Sequence, residues 1–286
     1  MDARMWGPDY YKAQQDTFVQ KGLLLPGEYL EYFCYNWEDT SIAAGTGTLF
    51  EDTNVRIDQD ADFVALANVY SATDPNILVR FINEDTGQYL YNRACNVSSI
   101  AGSGIAGNTV GGQAEEYLYY ACPLCCPMRI NGGPIVTMQA ADFNNSGTNA
   151  LYFTMHGAKI RKGQAPWLQN YKRRSPFVYS DTVQVAANGA IPMNLPINQD
   201  ADFAVYSITA WMDGNATILI KDGGSDRIWM DRAMRIRNMV GNGQKPHILE
   251  APRMIYRGTG ITVTLADLSG SANDIRLAFH GEKLFR

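Results

Sequence analysis

Histidine and cysteine, which often carry catalysis or hold metals, are scarce in this chain of 286 residues. There are three histidines and five cysteines. The odd number of cysteines excludes a framework in which every cysteine is paired. No cysteine occurs in the second half, so we expect folding in a reducing cytoplasm rather than disulfide stabilisation. The cysteines are Cys34, Cys95, Cys122, Cys125 and Cys126.

Long apolar runs are also missing. None approaches the ~18 residues of a membrane span, and no apolar stretch follows Met1 closely enough for a signal peptide. The net charge of −5 argues against general affinity for nucleic acid. A hydrophobic content of 46% is sufficient for a globular core. We therefore expect a globular protein that binds neither membranes nor a specific nucleic acid.

One sequence occurs twice. Residues 57–63 (IDQDADF) return as residues 197–203 (INQDADF). The similarity extends to 89–93 with 228–232, 124–127 with 249–252, and 153–159 with 277–283. A spacing this long suits a duplicated domain better than a solenoid repeat. The predicted segments are an N-terminal arm (1–30), a first β-sandwich repeat (31–160), a basic linker (161–177) and a second β-sandwich repeat (178–286).

Short apolar or alternating runs, broken by Gly, Asn, Asp and Pro, predict strands throughout both copies. In the first copy these runs are 63–70, 76–82, 88–91, 134–138 and 150–155. Residues 84–87 predict a hairpin turn in which Gly87 supplies the positive φ, and residues 222–225 have the same predicted role. The fold class is therefore all-β, with two tandem β-sandwich or jelly-roll-like domains.

The N-terminal arm reads as a short helix. Pro8 stands near its start and Gly22 at its end, as expected for helix termini. Its apolar face is poor, so it is expected to dock on another surface. A frayed terminus is the alternative.

Two short motifs resemble ligand sites. Residues 102–107 spell G-x-G-x-x-G, but two more glycines follow where a helix should begin, in an insert that the second copy lacks. Cys122 and Cys125 resemble half of a zinc site without its second pair, so buried thiols are the expected state. We expect no cofactor and no metal requirement.

The repeated acidic segment has the opening spacing of a calcium loop at Asp58, Asp60 and Asp62. Phe63 and Val69 stand where an EF-hand needs Gly and Glu, so an EF-hand is excluded. A turn before a core strand explains the pattern, and a calcium site of another kind stays open.

No catalytic signature accompanies the histidines. His156 and His280 recur in matching His-Gly-x-Lys endings, without a G-x-S-x-G elbow or a Cys/His pair. We expect each to be a strand-end histidine before a turn glycine. Carboxylates abound, but sequence does not place two of them together, so a glycoside-processing enzyme is only a third hypothesis. We expect no enzyme.

Charge is distributed unevenly along the chain. Residues 31–160 carry 14 acids and 5 bases, 161–177 carry 5 bases and no acid, and 178–286 carry 11 of each. The basic connector could follow a nucleic-acid backbone, but arginines and aromatics are also typical of protein interfaces, which we prefer. The interface candidates are Trp6, Tyr10, Tyr11, Arg161, Lys162, Trp167, Tyr171, Lys172, Arg173 and Arg174.

The two strand-and-turn copies, which close at His156-Gly-Ala-Lys159 and His280-Gly-Glu-Lys283, and the arm before Glu31 resemble virion structural proteins of tailed bacteriophages. The resemblance is to head-decoration and neck or collar proteins. It implies a homo-oligomer that contacts other virion proteins. It also implies a place in the virion after synthesis in the host bacterial cytoplasm.

The alternative hypothesis is a lectin-like carbohydrate-binding module, whose partner would be a host-surface glycan. Trp211 and Trp229 are the candidates for stacking on sugar rings. They align with Ser71 and Leu90, so the two copies do not share a sugar platform.

Overall fold

A computed structural model describes residues 7–45, 50–73, 76–103, 121–143, 147–242 and 246–286, except for the side chain of Cys125. These residues form two β-sandwiches preceded by helix α1 (Pro8–Gln20). The predicted fold class is therefore confirmed. No helix in the described ranges is long and apolar enough to cross a membrane.

The first sandwich contains two sheets. In one sheet β1 pairs with β10 and β10 with β3, while β7 and β8 both pair with β3. In the other, β2 pairs with β9 and β9 with β4, while β5 and β6 both pair with β4. The strands are β1 (Glu28–Ala43), β2 (Glu51–Arg56), β3 (Phe63–Ala72), β4 (Ile77–Asn83), β5 (Gln88–Tyr89), β6 (Cys95–Asn96), β7 (Gly102–Ser103), β8 (Cys122–Ile130), β9 (Ile135–Asp142) and β10 (Thr148–Lys162).

The second sandwich has the sheet orders β11-β18-β13-β16 and β12-β17-β14-β15, which is the eight-stranded jelly-roll arrangement. A short helix, α2, precedes β16. The elements are β11 (Arg173–Val185), β12 (Ala190–Pro196), β13 (Asp202–Met212), β14 (Ala216–Asp222), β15 (Met234–Arg235), α2 (Ile236–Met239), β16 (His247–Ile255), β17 (Gly260–Asp267) and β18 (Asn273–Phe285).

The two copies match in strand register as well as in sequence. Phe63 lies opposite Lys159 in the first copy, and Phe203 lies opposite Lys283 in the second. Both phenylalanines are fully buried. The repeated sequence therefore begins the same core strand in each sandwich.

The expectation that His156 and His280 end their strands is wrong, because both lie inside long strands, β10 and β18. The glycines that follow them face an irregularity in the neighbouring strand. A Cβ on Gly157 would lie 2.0 Å from the carbonyl oxygen of Val64, and one on Gly281 would lie 1.9 Å from that of Ala204. Glycine is required there by the close approach of two backbones, not by a turn.

The two predicted turns differ in detail. Gly87 has a φ of +64°, as expected, but in the second copy the positive φ falls on Asp226, not on a residue of 222–225. Gly224 instead makes room for a neighbouring loop, since a Cβ there would lie 2.5 Å from the Thr259 side chain.

The N-terminal helix docks on the sandwiches, with Tyr11 and Phe18 buried. The predicted linker is shorter than 161–177, because β10 extends to Lys162 and β11 begins at Arg173. The connecting segment is therefore 163–172, and it contains one turn of 3-10 helix at Pro166–Leu168.

Candidate functional site

The repeated acidic segment forms a turn before the core strand and is clamped by the lysine of the His-Gly-x-Lys motif. Lys159 Nζ lies 2.7 Å from Asp58 Oδ2 and 2.8 Å from Asp60 Oδ1. In the second copy Lys283 Nζ lies 2.9 Å from Asp200 Oδ2. The two motifs found in the sequence therefore meet in space in both sandwiches.

A third part of this clamp was missed in the sequence. The Tyr35 hydroxyl accepts a hydrogen bond from the Asp58 backbone N–H at 2.9 Å, and Lys159 Nζ lies 4.0 Å above the ring of Phe33. Phe177 and Tyr179 occupy the same places in the second copy. A Phe-x-Tyr pattern repeated at 33–35 and 177–179 could have revealed it.

The carboxylates considered for calcium bind cations of the chain itself. Arg129 Nη2 lies 2.6 Å from Asp62 Oδ2, and Arg161 Nη1 lies 2.8 Å from Asp60 Oδ2. With Lys159 on Asp58 and Asp60, each of the three carboxylates has a basic partner. The arrangement compensates its charge without an added ion and acts as a structural clamp.

The two sandwiches meet through unlike surfaces. The first contributes the outer face of its β1-β10-β3 sheet, and the second contributes β16 and the segment 228–241. The Cys34 N–H donates to the Trp229 carbonyl oxygen at 3.2 Å, and the Asp231 N–H donates to the Cys34 carbonyl oxygen at 3.2 Å. The face residues that join the second core are Leu30, Tyr32, Cys34, Val64, Leu66, Ala158 and Ile160.

An ionic cluster crosses this junction. Arg253, which is 1% exposed, lies 3.4 Å from Glu31 of the first sandwich and 2.9 Å from Asp222 of the second. Arg161 and Arg227 also bind Glu31. Burial alone would raise the pKa of Glu31, but the three guanidinium groups outweigh it and hold that pKa below its usual value. The carboxylate therefore stays charged inside the junction.

A histidine pair lies at the same junction. The rings of His156 and His247 are 4.5 Å apart, and His247 Nε2 lies 3.5 Å from Glu250 Oε1. Hydrogen bonds reach both nitrogens of His156, at 2.9 Å from the Tyr32 hydroxyl and 2.7 Å from the Asn238 carbonyl oxygen. The pKa of His156 lies well below its ordinary value. Burial is the main cause, and the neighbouring imidazole of His247 is the second.

These side chains are also of the types that zinc accepts. The ligand atoms of His156, His247 and Glu250 lie within 4.8 Å of one another. A metal on His156 would have to displace either the hydroxyl or the carbonyl that now binds its ring. The hydrogen bonds therefore favour a hydrogen-bonded packing network over a metal centre.

Several interface candidates turn inward. Trp167 and Tyr11 are each 2% exposed and pack together against the second sandwich. The Tyr171 hydroxyl donates to the Pro166 carbonyl oxygen, and Arg174 binds Glu282. Arg161 belongs to the junction cluster described above, whereas Trp6 lies outside the described residues. The candidates on the surface are Tyr10, Lys162, Lys172 and Arg173.

The cysteines do not form a metal set in the described part of the chain. Cys34 lies buried in the junction, where burial raises the pKa of its thiol well above the usual range. Cys122 is half-buried and Cys126 is exposed, whereas the side chain of Cys125 is not described. Most of the G-x-G-x-x-G segment, from Gly104 onward, also lies outside the described residues.

The two tryptophans proposed for sugar stacking lie in different environments. Trp229 is fully buried and its indole N–H donates to Asp222, so its predicted role as an exposed platform is wrong. Trp211 is half-buried beneath the guanidinium of Arg276 at 4.6 Å.

Each copy has a cleft at the same place, beside the hairpin turn. In the second copy its volume is about 160 Å³, and Tyr29 and Glu31 of the first copy form one wall. In the first copy the cleft measures about 290 Å³ and is open. Its lining residues are Asn83, Thr86, Gln88, Tyr89, Leu90, Met128, Arg129, Ile130 and Asn131.

No family model and no curated protein matches this chain. A chain of the T=1 Penaeus vannamei nodavirus is 8% identical, with a TM-score of 0.18 over 88% of this chain and 97% of that one. A vicilin from Solanum melongena is 8% identical, with a TM-score of 0.16 over 81% and 73%. The CBM22-1-CBM22-2 tandem domain of Paenibacillus barcinonensis Xyn10C is 7% identical, with a TM-score of 0.16 over 91% and 92%. Likenesses this weak carry no argument about function.

Proposed function

We propose that the chain is a non-enzymatic structural protein of a phage virion that assembles as an oligomer on the head or at the neck or collar. The junction carries this proposal. Two equivalent jelly rolls pack through unlike surfaces, and within the described residues the counterpart of each surface is partly exposed, at Val178 and at Tyr89. Such contacts can be repeated from chain to chain to build larger assemblies. Jelly rolls recur in viral capsids as well as in lectins.

The surroundings of the titratable groups support a structural role. His156 is neutral and hydrogen-bonded on both nitrogens, and the His280 ring contacts the Thr209 hydroxyl at 2.9 Å. The paired carboxylates of the repeated turn bind lysine and arginine. Packing and ion pairing account for these groups without any reaction.

The test is the protein content of purified particles. Virions released by the bacterium that expresses this chain are separated on a density gradient and quantified by mass spectrometry. Co-migration with the particles at a fixed ratio to the other virion proteins is expected. Absence from every particle fraction, while the chain is abundant in the lysate, contradicts the proposal. Binding to host glycans that Trp211→Ala abolishes would favour a carbohydrate-binding module instead.

A further inference from the structure

We propose that a second copy of this chain docks its β11 strand on the open cleft of the first sandwich. The contact between chains repeats the one that the two sandwiches make within one chain. The inference rests on the proposed function, because it specifies the surface through which such an assembly would form.

Part of the receiving face of the junction has an uncovered counterpart on the second sandwich. Tyr11 and Trp167 cover one end of that counterpart, at Ala204, Tyr206 and Leu284, and leave the β11 edge exposed. Cys34 lies opposite His156, and Val178 lies opposite His280, so β11 corresponds to β1. Cys34 is 0% exposed because the second sandwich covers it, whereas Val178 is 47% exposed. Val178 therefore marks a part of the face that is covered in the first copy and, among the described residues, uncovered in the second.

The docking segment of the junction has a counterpart on the first sandwich. The Trp229 N–H bonds to the Ile220 carbonyl oxygen at 3.0 Å, and the Leu90 N–H bonds to that of Phe81 at 2.9 Å. The segment that begins at Tyr89 therefore corresponds to the one that begins at residue 228. The carbonyl oxygen of Trp229 accepts from Cys34 in the junction, so the carbonyl of Leu90 is the equivalent acceptor.

The clefts match this correspondence. Tyr29 and Glu31 of β1 wall the smaller cleft, and their counterparts by strand register are Arg173 and Ser175 of β11. Within the described residues, no other strand forms such a wall for the larger cleft beside residues 88–90. The β11 strand of another chain would supply it.

Charge favours the same occupant. The exposed turn residues Glu84 and Asp85 lie next to the open cleft, and Lys172 and Arg173 are exposed where β11 begins. Docking brings these bases towards the acidic turn, which guides orientation and association rate. At the position of Arg253 the first copy has Met128, so the contact between chains lacks the buried ionic cluster.

Repetition of a contact between unlike surfaces gives a ring if the rotation closes and a filament if it does not. Cysteine cross-linking tests which surfaces meet. Cys34 and Met230 are bridge partners on adjacent backbones, which lie ~5 Å apart and within reach of a disulfide. Their counterparts are Val178 and Tyr91.

The experiment mixes Val178→Cys chains with Tyr91→Cys chains and oxidises them. The background replaces Cys95, Cys122, Cys125 and Cys126 with serine. Disulfide-linked dimers are expected from the mixture and not from either variant alone. Met230→Cys, which should form an intrachain disulfide with Cys34, checks the geometry of the template contact.

The matched control replaces Val178→Cys with Thr264→Cys, an exposed position on β17, and should give no dimer. If the unmodified chain sediments as an oligomer but the mixture gives no disulfide, this contact is wrong and the proposed function stands. A chain that remains monomeric at every concentration overturns both.

A second variant tests the contact independently, in case Tyr91→Cys does not fold. Val178→Glu places a charge on the exposed face without touching the core. It should dissociate the oligomer into folded monomers, and an unchanged oligomer overturns the proposed contact.

Discussion

Arg253 Nη1 of the second sandwich lies 3.4 Å from Glu31 Oε1 of the first, and the arginine is almost completely buried. Replacing Arg253 with methionine leaves Glu31 and Asp222 without their shared partner. Loss of one member of a buried ion pair costs about 3–5 kcal/mol. Because Arg161 and Arg227 still bind Glu31, we expect Arg253→Met to lower the free energy of unfolding in urea by up to that amount. Arg276→Met, on the surface, is the control, and equal stability of the two variants would contradict the role of the cluster.

Gly157→Ala and Gly281→Ala should both destabilise the protein, because the new methyl group would collide with the carbonyl oxygen of Val64 or Ala204. Overpacking of this kind costs about 1–3 kcal/mol or more. Gly7→Ala, where a Cβ would meet nothing within 4 Å, is the matched control. Chemical denaturation measures all three, and a Gly157→Ala variant as stable as Gly7→Ala would show that the strands separate easily.

Protonation of His156 should weaken the fold in acid. Its folded pKa lies well below the ordinary value of 6.5, so the unfolded chain binds more protons below that pH. The contribution of His156 to stability is therefore fully present above pH 6.5 and is lost as the pH drops towards the folded pKa. Burial raises the pKa of Asp231 to about 6. Protonation of this carboxyl therefore stabilises the fold as the pH falls from about 6 to 3.8, which opposes the effect of His156.

The readout is the difference in acid-induced loss of stability between the wild type and His156→Gln. Asp231 is present in both proteins, so its contribution cancels. Thermal unfolding should show that the melting temperature falls less in the variant than in the wild type between neutral and mildly acidic pH. Parallel curves for the two proteins would mean that His156 does not cause the loss.

Calcium should not stabilise the protein through the repeated turn, because Lys159, Arg161 and Arg129 already bind Asp58, Asp60 and Asp62. A specific site at a hundredfold excess of ligand over its dissociation constant would add about 2.7 kcal/mol. We expect no change in the unfolding midpoint on adding calcium or a chelator. A saturable rise in the midpoint that Asp60→Asn removes would contradict this.

The sequence was sufficient to predict both sandwiches, because the repeat and the alternating runs are local patterns. It also contained both halves of the lysine clamp, because the acidic segment and the His-Gly-x-Lys motif recur in both copies. It could not show that His156-Gly157 lies inside a strand. Its glycine is required by the backbone of Val64, which is distant in sequence.

The junction could not be predicted in the same way. Glu31 and Arg253 each occur in one copy only, since their counterparts are Ser175 and Met128. A comparison of the two repeats therefore gives no signal for either residue. Trp167 looked like a surface anchor because it stands in a polar, basic segment, but Tyr11 of the distant arm packs beside it. Which surfaces two domains bury against each other depends on tertiary packing that periodicity does not encode.

The mass of the purified chain in solution tests the central claim most directly. Sedimentation equilibrium over a range of concentrations should give a species whose mass is a whole multiple of the chain mass of 31.7 kDa. That multiple should be greater than one. A mass of 31.7 kDa at every concentration, from a chain that is folded by circular dichroism, would contradict the account.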